Sequence, residues 1–130
     1  SNNLFELGGA LQNRLFLALP SLPSDQTQAG TSEYRVLADA YKLSSEQMAS
    51  QITALCSAKV LEQGLKLAGR GVTREKLVKT LEGLYDFDTG FMPRIGFGPD
   101  RRIGALGAYI VTIDQHRKQF RSVTGWLRLD

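Results

Sequence analysis

The stretch that most constrains this chain is residues 44–69, SSEQMASQITALCSAKVLEQGLKLAG, which holds no charged residue across positions 48–58. Ser44 with Gln47 three residues on reads as a capping box, and Gly69 reads as a C-cap, so the spacing predicts one long helix over 45–68. Met48, Ile52, Leu55, Cys56, Leu61 and Leu65 form its expected apolar stripe. The uncharged first half is expected to be buried nearly all round. The second half, with Lys59, Glu62 and Lys66, is expected to be half solvated. A helix of this kind is stable only where other elements cover it, so the rest of the chain has to supply a core.

Upstream, Arg14-Leu15-Phe16-Leu17-Ala18-Leu19 is a short apolar run closed by Pro20. Its length and composition predict a strand over 15–19 buried on both faces, as in a parallel sheet covered by helices. Residues 3–13 show only a broken apolar pattern and read as a frayed helix or loop. Residues 21–30, SLPSDQTQAG, are rich in turn formers, with Gly30 free to take a positive φ. A helix over 31–41 follows, capped by Thr31 or Ser32, with Tyr34, Leu37, Ala38 and Tyr41 on one face.

Downstream, Thr73 caps a helix over 74–84 whose core face is Leu77, Val78, Leu81 and Leu84, with Glu75 in the first turn. Residues 85–90, YDFDTG, turn the chain. Short strands are expected over 94–97, 108–114 and 125–129, with a turn at Gly98-Pro99-Asp100-Arg101.

The chain has 130 residues, enough for about one domain. Its net charge of +3 comes from basic residues spread along the sequence and mixed with acids, with no basic stripe carrying interleaved aromatics. That pattern argues against nucleic-acid binding. The single cysteine, Cys56, excludes an internal disulfide and a cysteine zinc cluster. No apolar run is long enough for a transmembrane helix, and no signal-peptide pattern is present. Ser1-Asn2 reads as a tag remnant ahead of a chain that starts within a longer protein.

Each chemically suggestive residue has a plain structural explanation. Asp86 and Asp88 form a carboxylate pair, yet Asp-x-Asp-Thr-Gly is turn chemistry in which side chains accept from backbone N–H groups. Gly96-x-Gly98 lacks the third glycine and the following helix of a phosphate cradle. Arg101 and Arg102 pair with the Asp86/Asp88 turn or face water. His116 stands beside Arg117 and Lys118 in a polar loop. Cys56 reads as a small core residue on an apolar helix rather than a thiolate nucleophile. Trp126 reads as a packing anchor. No metal site, cofactor site or catalytic constellation emerges.

Three segments taken together, LFLALPSLPSD, ASQITALCSAKVLEQGLKLAGRGVTREKLVKTLEGL and DTGFMPRIGFGPDRRIGALGAYIVTID, resemble the C-terminal part of the type I periplasmic binding proteins of branched-chain amino acid ABC transporters. The resemblance covers residues 14–129. It implies a three-layer α/β fold of the periplasmic-binding-protein type I kind, with residues 1–130 forming the C-terminal segment of a two-lobed ligand-binding domain. It places the strand over 15–19 and the following helices in one lobe, with the last strands near the hinge.

The same resemblance implies a non-catalytic, extracytoplasmic protein that closes two lobes on a small solute and presents it to the membrane component of an ABC importer. The solute would be an amino acid, a small carboxylate or an aromatic acid. A sensing domain of the same fold is the second expectation, and an enzyme the third. Where family members set an acid against the ligand ammonium, this chain has Asn13 with Arg14 beside it, which favours an anionic or neutral polar ligand. Where they set an aromatic, it has Met48, Ser50 and Gln51. The ligand-binding candidates are therefore Asn13, Arg14, Asp25, Ser50 and Gln51. A lone segment of such a fold is expected to form a homodimer or exchange segments between copies, because its edges and apolar faces need cover.

Overall fold

The computed structural model describes residues 14–114 and 116–129. They form a mixed α/β chain in the order β1 (Phe16–Leu19), α1 (Gln28–Tyr41), α2 (Met48–Ala68), α3 (Arg74–Glu82), β2 (Gly107–Asp114), β3 (Gln119–Ser122) and β4 (Leu127–Arg128). One-turn 3₁₀ helices at Pro23–Asp25 and Ser45–Gln47 precede α1 and α2. The chain divides into two compact units. Among the described residues, one comprises 14–22 and the part from 106 onward, and the other 23–105. The backbone therefore passes between them twice, at Leu22-Pro23 and at Ala105-Leu106.

The first unit is a sheet centred on β2. β1 pairs antiparallel with β2 in the register Phe16↔Thr112 to Leu19↔Tyr109. β3 pairs antiparallel on the other side, Val111↔Ser122 to Asp114↔Gln119. β4 continues along β2 at Gly107 and Ala108. Burial concentrates on the central strand, where Val111, Thr112 and Ile113 are buried. Two expectations are corrected here. β1 is antiparallel and at the edge of the described strands, with Phe16 and Ala18 exposed, instead of lying in a parallel sheet covered on both faces. It also belongs with the last strands, while the helices form the other unit. An apolar run of this length has no period, so burial on two faces and pairing at an edge look alike in sequence.

β3 is absent from the strands expected over the C-terminal stretch. It follows a tight turn in which the Arg117 N–H donates to Asp114 Oδ1 at 3.0 Å and Lys118 takes a φ of 50°. Trp126 anchors β4: its ring lies edge-on to Tyr109 at 5.1 Å and covers Gly107, where any side chain would strike the indole and the Leu127 carbonyl.

The second unit is helical, with an irregular return segment over 83–105. Thr27, not Thr31 or Ser32, caps α1, accepting from the Gly30 N–H at 3.0 Å. Gly30 thus lies inside the helix, not in a loop. Its use is close approach, since a Cβ there would stand 2.6 Å from the Gly90 carbonyl oxygen. Gly90 itself has φ 84°, a conformation that side chains oppose. Asp88 Oδ1 accepts from the Gly90 N–H at 2.7 Å, and the Thr27 N–H donates to the Gly90 carbonyl at 2.9 Å. The DTGF turn is therefore clamped to the start of α1, and Phe91, 2% exposed, enters the core edge-on to Tyr34.

α2 is rotated from its expected setting. Met48, Leu61 and Leu65 are exposed, while Cys56, Gly64 and Ala68 are buried. The small residues face inward because α3 needs the space: a Cβ on Gly64 would lie 2.7 Å from Leu81 Cδ2 and 3.2 Å from Leu77 Cδ1. The uncharged first half is not buried all round, since Ala49, Ser50, Thr53, Ala54, Ser57 and Ala58 are exposed. α3 ends at Glu82, short of the expected 84, with Gly83 at its C-cap and Val78 exposed. The strand expected over 94–97 is only an isolated bridge, Phe87↔Ile95, followed by the Gly98–Arg101 turn.

Candidate functional site

The second unit holds a cavity of about 280 Å³ between one face of α2 and the return segment. Thr53, Cys56, Ser57 and Val60 supply the helix wall, at spacings of three and four that set them on one face. Met92, Ile95, Phe97, Gly104 and Ala105 supply the opposite wall. Backbone bonds hold that wall in place: Phe87 and Ile95 exchange N–H to carbonyl bonds at 2.8 and 3.0 Å, and the Gly96 N–H donates to Gly104 at 2.9 Å. Gly104 matters for shape, because a Cβ there would meet the Phe97 ring at 3.1 Å.

The lining carries no charge. Thr53 Oγ1 donates to the Ala49 carbonyl at 2.9 Å, and Ser57 Oγ donates to the Thr53 carbonyl at 3.0 Å. Both hydroxyl protons are thus committed to the helix, which leaves acceptor lone pairs. Lys59, one turn along, is tied to Glu33 at 2.6 Å. Cys56, 3% exposed, lies in the helix wall. Burial pushes its thiol up from the usual range, against a smaller opposing pull from the Thr89 hydroxyl and the Lys59 charge. The fully buried Thr89 hydroxyl closes no hydrogen bond of ordinary geometry, so the thiol beside it acts as a weak electrostatic neighbour rather than a full partner. A buried thiol with a raised pKa is a poor nucleophile at neutral pH.

The residues singled out in the sequence lie elsewhere. Asn13 is outside the described residues. Arg14 is exposed ahead of β1 in the first unit. Asp25 is half-buried in the 3₁₀ turn before α1, Ser50 is exposed on the first turn of α2, and both belong to the second unit. Gln51 is structural, since its Oε1 accepts from the Tyr34 hydroxyl at 2.7 Å and its Nε2 donates to the Ser44 carbonyl at 2.7 Å. It joins α1 to the start of α2.

The Asp86/Asp88 pair is turn chemistry closed by Arg94, whose Nη1 reaches Asp86 Oδ2 at 3.0 Å while Nη2 lies 3.9 Å from Asp88 Oδ2. Arg102, expected near that turn or in water, is exposed and pairs with Glu82. Among the described residues, no group of three or more His, Cys, Asp and Glu converges as a metal site. No helix of the described chain is long and apolar enough to cross a membrane. The cavity escaped sequence reading because its helix wall pairs two hydroxyls with Cys56 and Val60, a weak apolar signal, and its other wall is irregular backbone. The i, i+3, i+4, i+7 spacing of Thr53, Cys56, Ser57 and Val60 was the available clue.

No protein family, characterised protein or solved structure compared with the chain matches it.

Proposed function

We propose that this chain is the C-terminal segment of an extracytoplasmic solute-binding protein of the periplasmic-binding-protein type I kind. It would capture a small polar molecule between two lobes and present it to an ABC importer. The observation that supports this reading is the double passage of the backbone between two compact units, at Leu22-Pro23 and Ala105-Leu106. Paired connections of this kind suit a hinge, because two short segments can absorb backbone rotation while each unit keeps its own packing. Function follows from lobe closure: a ligand that binds the closed arrangement better shifts the population toward it, and the importer reads that state.

The ligand-contacting candidates are Asn13 and Arg14, which precede β1 in the chain, Asp25 and Ser50; Gln51, whose amide is held by Tyr34 and Ser44, reaches a ligand only by giving up one of those bonds. Arg14 would favour a carboxylate, through paired N–H donors. Thermal-shift screening of the longer protein that contains this chain, against amino acids, small carboxylates and aromatic acids, tests the reading. Stabilisation by carboxylates that is lost in Arg14→Ala supports it. Stabilisation by zwitterionic amino acids alone overturns the assignment of Arg14, and no stabilisation by any solute overturns the function.

A further inference from the structure

We infer that the cavity between α2 and residues 92–105 binds a small, uncharged, mostly aromatic molecule carrying one N–H or O–H donor, with phenol and indole as the simplest examples. This site lies wholly within the second unit and is independent of the solute site proposed above.

Size sets the first limit. The cavity, at about 280 Å³ and open to solvent beside the exposed Thr53 and Ser57, has room for a ring of one or two cycles. The surrounding chemistry sets the second. Val60, Met92, Ile95 and Phe97 offer apolar contact. The Met92 thioether and the Cys56 sulfur are polarisable groups that favour an aromatic ring, and Phe97 can meet one edge-on.

The third limit is polarity, and it distinguishes a ligand site from a simple packing seam. Thr53 and Ser57, both exposed, line the cavity, and their hydroxyl protons are already donated to the Ala49 and Thr53 carbonyls. They can accept and have no proton to give. A ligand carrying a donor completes them, while a carboxylate would meet two acceptors and no cation. Lys59 does not supply one, since its ammonium is held by Glu33 and is not part of the lining. Neutral donors are therefore selected over anions.

The Met92 methyl serves as the reporter. In the full chain, its resonance is followed as phenol, indole, toluene and benzoate are titrated in. Phenol and indole are expected to shift it saturably. Toluene is expected to do so more weakly, and benzoate not at all. The double variant Thr53→Val/Ser57→Ala, at exposed helix positions, is expected to weaken phenol and indole about threefold to tenfold, the value of one hydrogen bond, and to leave toluene unchanged. Absence of a saturable methyl shift overturns the inference. So does an equal shift with benzoate, or unchanged phenol affinity in the double variant.

Discussion

The contact between Gly30 and Gly90 gives the sharpest stability test in the molecule. In Gly30→Ala the new methyl would stand 2.6 Å from the Gly90 carbonyl oxygen and 3.1 Å from its carbon. Carbon-to-oxygen contacts are ordinarily about 3.3 Å or longer, so α1 and the DTGF turn must separate by roughly 0.7 Å. That movement stretches the 2.9 Å bond from the Thr27 N–H to the Gly90 carbonyl beyond hydrogen-bond range. Overpacking costs about 1–3 kcal/mol and the lost bond about 0.5–1.5 kcal/mol. The better helix propensity of alanine returns up to about 1 kcal/mol. The net expected loss is about 2 kcal/mol, or a fall in Tm of about 8 °C. Urea and thermal unfolding followed by far-UV circular dichroism measure it. Gly83→Ala is the matched control: its φ is −87°, its Cβ would meet only the Thr80 carbonyl at 3.5 Å and the Lys79 carbonyl at 3.9 Å, and it is expected to be neutral or slightly stabilising. Equal stability of Gly30→Ala and the parent chain, with Gly83→Ala the weaker of the two, would refute the reasoning.

Further expectations concern the same unit. Phe91→Ala removes a nearly inaccessible ring and its edge contact with Tyr34, and should cost about 3–5 kcal/mol by urea titration; a loss within experimental scatter would show that the turn is not a core element. Tyr34→Phe removes the bond to Gln51 and should cost about 0.5–1.5 kcal/mol, read from the urea midpoint, and adding Gln51→Ala should cost a similar further amount, because its Nε2 still holds the Ser44 carbonyl. Cys56 has its folded pKa raised by burial, so its contribution is fully present below the unfolded pKa of about 8.5. The contribution declines as pH rises from there through the folded value. Stability should fall more steeply above that pH in the parent chain than in Cys56→Ala, and parallel curves from urea titrations across alkaline pH would contradict it. Arg94→Ala opens an exposed ion pair and should shift the midpoint by less than about 1 kcal/mol, because solvent screens such pairs; a larger loss would mean that the guanidinium holds the Asp86 turn in place.

Local chemistry was readable in the sequence at several turns and caps, though not at the Thr27 cap of α1. Thr73 caps α3, accepting from the Lys76 N–H, and Gly69 closes α2 with its N–H on the Leu65 carbonyl. Asp88 bonds the Gly90 N–H within the DTG turn, and Gly98 and Arg101 close theirs. Each depends on atoms two to four positions apart, so side-chain type and spacing suffice. The cavity was far less legible, because its two walls are some 40 positions apart and one of them has no periodicity.

The sequence by itself determined that the described residues form three helices with strands on either side, where several of the helices stop, and that the acidic pair is turn chemistry. Tertiary structure alone decided which way α2 faces, because Gly64 and Ala68 win the inward side only when Leu77 and Leu81 of α3 arrive against them. It alone decided that β1 pairs antiparallel with β2 about 90 residues later, since a four-residue apolar run specifies neither partner nor direction. It also turned Gly30 from an apparent loop residue into a point of backbone contact with Gly90. The physical reason is common to all three: each outcome is set by the space and hydrogen bonds that a distant segment offers, and no local pattern encodes them.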